Sequence, residues 1–101
     1  MNSELTSLRA DIDLLDKMLW EIIGKRINIA REIGSWKRNH RVAVLQEQRF
    51  EEVMRHCQQM AAEQGLSETV VEEVMKALHK ESIRVESCCF CIEIKGYKKK
   101  A

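Results

Sequence analysis

The chain has 101 residues, 45% apolar and 33% charged, with a net charge of +1, four glycines and no proline. These values fit one small, helix-rich domain. So balanced a charge offers nucleic acid no electrostatic footprint. No apolar run approaches the roughly 20 residues that cross a bilayer. The acidic opening residues lack the apolar stretch of a signal peptide, so a cytoplasmic protein is expected.

Alternating steps of three and four link Leu5, Leu8, Ile12, Leu15, Leu19, Ile22, Arg26, Ile29, Ile33 and Trp36. This heptad seam predicts one helix from about Ser3 to Arg38. Such a helix is roughly 50 Å long, longer than a globule of this size can cover, about 30 Å across. A partner chain is therefore expected. Arg26 is the one charge in the seam, and a guanidinium there needs an anion to meet it. Lys37 follows eleven residues on, almost three turns, and projects from nearly the same face. Two cations aimed into a bundle predict a pocket for an anionic ligand.

Residues 39–45 break the pattern and read as a connector. A second helix is predicted from about Leu45 to Gln64, with Phe50, Val53, Met54, Cys57, Met60 and Ala61 on its apolar face. Gly65 suits the position just past its end. Ser67 is a good N-cap for a third helix, and Glu68, Glu72 and Glu73 lie near its positive end. That helix carries Val70, Val71, Val74, Met75, Leu78, Ser82 and Ile83, and ends near Ser87. Ser82 and Glu86 continue the Met75–Leu78 face, so polar groups enter this stripe too.

Residues 88–101 differ in kind, and a short extended or disordered tail ending in Lys98, Lys99 and Lys100 is expected. Three of the four cysteines, Cys88, Cys89 and Cys91, crowd there, apart from Cys57. A disulfide framework spreads its cysteines, so reduced thiols are expected. Cys-Cys-Phe-Cys with His79 upstream matches no standard zinc spacing, and no metal is expected.

Several segments together resemble the all-helical class of chorismate mutases. They are Leu8-Arg9 with Ile12 and Asp16, Lys25-Arg26 with Ala30, Ile33-Gly34 with Lys37, Gln46-Glu47-Gln48-Arg49, Gly65-Leu66-Ser67 and Glu81-Ser82-Ile83. The resemblance covers roughly residues 4–87. Its most specific part is the ordered set Arg9, Arg26, Lys37 and Arg49. The runs from Val44 to Arg49 and from Glu81 to Arg84 further resemble mutase domains fused to DAHP synthase. The resemblance implies an all-α, intertwined homodimer of three-helix chains with paired first helices. Arg9 and Arg26 lie about 25 Å apart along one helix, so one chain cannot bring both to a small molecule. An antiparallel partner can.

The implied reaction is the rearrangement of chorismate to prephenate, which needs no cofactor. The enzyme must hold a flexible dianion in a compact conformer and stabilise charge growing on the ether oxygen. The resemblance assigns carboxylate clamps to Arg26 and the partner's Arg9, where a planar fork suits two oxygens. Lys37 would reach a carboxylate and the ether oxygen. Arg49 and Ser82 would support the substrate, and Gln46 would present its backbone amide to the ring hydroxyl. Two positions depart from the family. Phe50 stands where a glutamate often accepts from that hydroxyl. Glu86 stands where a glutamine commonly donates to the ether oxygen, and an ionised carboxylate cannot donate.

Plainer readings compete at single positions: a salt bridge from Arg9 to Asp13, or from Arg49 to Glu52 or Glu47. Two other functions compete for the whole chain. An isochorismate pyruvate lyase on the same fold accommodates Phe50. A non-catalytic coiled-coil module accounts for the seam, but not for Lys37, Arg49, Ser82 and Glu86 together.

Overall fold

The computed structural model describes residues 3–87. Helix α1 spans Ser3–Asn39, α2 spans Glu47–Glu63 and α3 spans Glu68–Ser87, with no strand among the described residues. The fold is thus all-α with three helices and one very long first helix. None of the described helices is long and apolar enough to cross a membrane. The expected tail at 88–101, with its Cys88–Cys91 cluster, lies outside the described residues.

Local chemistry explains the helix ends that flank the two connectors. Ser67 caps α3, its hydroxyl accepting from the Val70 amide at 3.2 Å. After α2, Gly65 takes the left-handed conformation at φ 78°. The amides of Gly65 and Leu66 then bond back to Ala62 and Ala61 at 3.0 Å each, closing a Schellman turn. The same motif ends α1 without glycine. Arg41 sits at φ 57°, while Arg41 and Val42 donate to the carbonyls of Arg38 and Lys37. Helix α2 starts at Glu47, two residues after the expected Leu45, because Gln46 is extended (φ −130°) and offers no side-chain cap.

The seam from Leu5 to Trp36 does not make the chain's own core. The buried residues of α1 are Ile27, Ala30 and Gly34, and Ile27 and Ala30 cluster with Val85 of α3 and partly buried Ile23. This stripe is offset by one residue from the seam, which turns it about 100° around the helix. Arg26 is accordingly exposed in the single chain. On α3, Val71, Met75, Ser82, Val85 and Glu86 are buried, but Val70 and Val74 are exposed. Met60 of α2 is exposed as well.

The chain measures 59 × 33 × 18 Å with a radius of gyration of 17.1 Å. A compact chain of this length has a radius near 13 Å. The excess comes from α1. Twelve of the exposed large apolar residues lie on it, from Leu5 to Trp36. So much uncovered apolar surface is more than a lone soluble chain ordinarily leaves to water.

Candidate active site

All three helices line one cavity of about 500 Å³. Helix α1 supplies Arg26, Ile29, Ala30, Ile33 and Lys37, from the edge shared by the seam and the buried stripe. Gln46, Arg49, Phe50 and Val53 come from the start of α2 and its cap. Helix α3 contributes Met75, His79, Ser82 and Glu86, one face at steps of four, three and four.

Gly34 makes this convergence possible. A Cβ there would lie 2.6 Å from the Glu86 Cα and 2.7 Å from its carbonyl oxygen. Only a bare Cα lets the backbones of α1 and α3 approach so closely. Three residues further on, Lys37 Nζ reaches Glu86 Oε1 at 2.9 Å. The pair is well covered, its side chains 15% and 9% exposed. Lys37 also donates to the Val44 carbonyl at 2.7 Å, which ties the α1–α2 connector to the cavity. The Schellman turn after α1 brings that carbonyl round.

One turn along α3, Ser82 is buried and its hydroxyl accepts from Arg26 Nη1 at 3.3 Å. Arg49 lines the cavity but is largely exposed, its guanidinium 3.5 Å from Glu52 Oε1. At that distance in solvent the pair is weak, leaving Arg49 available to a ligand. The lining thus holds three cations, Arg26, Lys37 and Arg49, against one carboxylate, Glu86, already paired with Lys37. An anion would be drawn into such a cavity.

Six of the seven residues singled out in the sequence line this cavity: Arg26, Lys37, Gln46, Arg49, Ser82 and Glu86. Arg9 does not. It is exposed on α1, seventeen residues before Arg26, about 25 Å away along the axis. Neither central cation is a buried unpaired charge, since Arg26 is exposed in the single chain and Lys37 is neutralised by Glu86.

Sequence reasoning missed His79 as a cavity residue. Its ring stacks on Phe50 with centroids 4.0 Å apart and planes 30° apart, and it lines the cavity where Leu78 had been placed on the stripe. The Met75–Ser82–Glu86 spacing contained the signal, because 79 completes that series.

The sequence is similar to those of known proteins. Residues 8–87 match the family model described as chorismate mutase type II. A 4-amino-4-deoxychorismate mutase of Streptomyces venezuelae is 32% identical over 84 residues, covering 83% of this chain and 82% of that protein. A 4-amino-4-deoxychorismate mutase of Streptomyces pristinaespiralis is 29% identical, covering 81% and 64%. The T-protein of Enterobacter agglomerans is 28% identical over 86% of this chain, which corresponds to only 23% of that longer protein. No solved structure matches significantly.

Proposed function

Since the chain belongs to the type II chorismate mutase family, and is therefore an isomerase taking chorismate to prephenate, we propose that the three-helix cavity is its active site and that a second copy of the chain completes it. The observation that carries this reading is the convergence of Arg26, Lys37 and Arg49 on one small cavity. Its volume suits a small ligand, and its charge suits a dianion.

The reaction breaks one C–O bond and forms one C–C bond within a single molecule, so no nucleophile is required. Arg26, oriented by the Ser82 hydroxyl, clamps a carboxylate. Lys37 is pinned by Val44 and Glu86 with its ammonium facing the cavity. It donates to the ether oxygen as charge develops there, a contribution realised mainly in the transition state. Glu86 adds a second donor only when it carries a proton. Arg49 holds the remaining negative charge from α2, and the Gln46 backbone amide serves the ring hydroxyl. Arg9 enters from the partner, whose α1 runs antiparallel along the exposed seam and covers its apolar residues. A plain zipper module leaves the cavity unexplained. The finer setting proposed is a cytoplasmic enzyme fused to or associated with a DAHP synthase, on the likeness of residues 44–49 and 81–84 to mutase domains of that kind.

The test is a direct assay of purified protein with chorismate and with isochorismate, following prephenate and pyruvate. Prephenate from chorismate is expected. Pyruvate from isochorismate alone would make the chain a lyase. Mixing Arg9→Ala chains with Arg26→Ala chains tests the shared site, because one site per heterodimer is then intact. No recovery in verified heterodimers would sink it.

A further inference from the structure

The polar groups on the cavity wall are mostly engaged. Lys37 is held by Glu86 and Val44, and Arg26 by Ser82. Gln46 and Arg49 keep only 3.5 Å contacts, to the Ala43 carbonyl and to Glu52, and His79 keeps none. His79 is half-buried on the lining, its ring stacks on Phe50, and its nitrogens make no hydrogen bond among the described residues. A neutral imidazole carries one donor and one acceptor in the ring plane. The stack blocks a face of the ring and leaves that edge for a ligand.

Its place on α3 says which part of a ligand it meets. His79 lies one turn from Ser82 and two turns from Glu86, so roughly 10 Å along the axis separates it from the Lys37–Glu86 pair. Arg26 and Ser82 lie between. A ring dianion whose carboxylates meet the cations rests its ring on the apolar wall of Phe50, Val53 and Met75. The imidazole borders that wall. Phe50 itself has no polar atom, and the only carboxylate on the lining, Glu86, belongs to Lys37. A ring hydroxyl therefore finds an acceptor at His79, whereas a ring ammonium would enter a cavity of three cations with no free carboxylate to meet it.

Resting on the mutase reading above, we infer that His79 is a specificity-determining residue. Its imidazole, steadied by Phe50, accepts the hydrogen bond of the substrate's ring hydroxyl and selects a hydroxyl-bearing ring over an amino-bearing one. In this respect the chain parts from the Streptomyces relatives named for the amino substrate.

The experiment measures kcat/KM on chorismate and on 4-amino-4-deoxychorismate for the wild-type dimer, His79→Leu, His79→Gln and Phe50→Glu, with circular dichroism on each. Wild type should favour chorismate by about tenfold or more, the worth of one well-placed polar contact. His79→Leu should lose about tenfold on chorismate and much less on the amino substrate, collapsing the ratio. His79→Gln keeps an acceptor and should recover part of the loss. Phe50→Glu supplies a free carboxylate that accepts from a hydroxyl and also meets an ammonium, so it should raise turnover of the amino substrate while chorismate remains a substrate. Equal losses on both substrates in His79→Leu, or a wild type preferring the amino substrate, would overturn the assignment while leaving the mutase reading intact. A folded dimer inert toward both would overturn the two together.

Discussion

Residues 3–22 of α1 expose Leu5, Leu8, Ile12, Leu15, Leu19 and Ile22, whereas residues 23–39 bury Ile27, Ala30 and Gly34 against α3. Both halves repeat apolar residues on heptad spacing. The second half also carries an offset stripe of small and aliphatic residues, and it alone has a partner within the chain. One helix thus carries two apolar faces, and only one of them is covered within the chain. Arg26 and Lys37 fall in the half that packs on α3 and face the cavity. Arg9 falls in the other half, where only another molecule can use it.

The largest expected effect comes from breaking the exposed half. Replacing Ile12 and Leu19 together by glutamate places charges in the seam, where they would be buried without partners. Sedimentation should find monomer in place of dimer, helicity should fall, and turnover should drop by more than a hundredfold. An active monomer would refute the proposed dimer.

Next is the Lys37–Glu86 pair in the packed half. Lys37→Ala removes the ether-oxygen donor, which should cost about a hundredfold in kcat, near 3 kcal/mol. It also strands a covered carboxylate, so stability should fall by about 3 kcal/mol as well. The two losses are separable. Adding Glu86→Gln neutralises the stranded group and should restore most of the melting temperature but not the rate. Glu86→Gln alone should keep the rearrangement, since the amide is a permanent neutral donor of the same length. If the double variant regains turnover, Lys37 is only structural.

Gly34→Ala should have a smaller effect, confined to the α1–α3 contact. The new Cβ meets backbone rather than a movable side chain, so α3 must shift, at about 1–3 kcal/mol. Thermal melting should fall by several degrees, and activity should decline because Lys37 no longer reaches Glu86. The dimer should persist, since the seam lies elsewhere. Dissociation at unchanged melting would show that the two faces are not independent.

The sequence made the exposed half legible and the packed half only partly so. A ten-member heptad seam is an unambiguous periodic signal, and helix ends marked by Ser67 and Gly65 follow from local chemistry. The α3-facing stripe is harder to read. Ala30 and Gly34 are small and score weakly as core, although close approach is what they provide. The end of α1 lacked a glycine because Arg41 takes the left-handed position itself. His79 was weighed only as a metal ligand and not as a cavity residue, because a polar ring on an apolar face breaks the pattern that identifies the face. Arg26, Lys37, Arg49, Ser82 and Glu86 were legible as a set through family resemblance. The Lys37–Glu86 pairing was not, because it depends on how closely two helices cross at a glycine.

The smallest effect belongs to Glu81, on the outward side of α3, and it serves as a control on the comparison. Arg84 grips this carboxylate with two bonds, Nε to Oε1 at 3.1 Å and Nη2 to Oε2 at 2.6 Å. The hydrogen bond to Arg84 holds the Glu81 carboxyl below its ordinary value, against the opposing effect of desolvation. A carboxyl lowered by folding contributes stability that is present above its unfolded value and is lost as pH falls through the folded one. Both side chains are about half exposed, so solvent screens most of the contribution. Glu81→Gln should therefore lower the denaturation midpoint slightly at neutral pH. The difference from wild type should vanish in strong acid, where both side chains at position 81 are neutral. Because the pair spans a single turn and touches neither the seam nor the cavity, dimerisation and turnover at neutral pH should stay unchanged. A loss of activity in this variant would mean that the outer face of α3 helps to position Ser82, its immediate neighbour in the chain, and that the packed half of the molecule reaches further than the α1–α3 crossing.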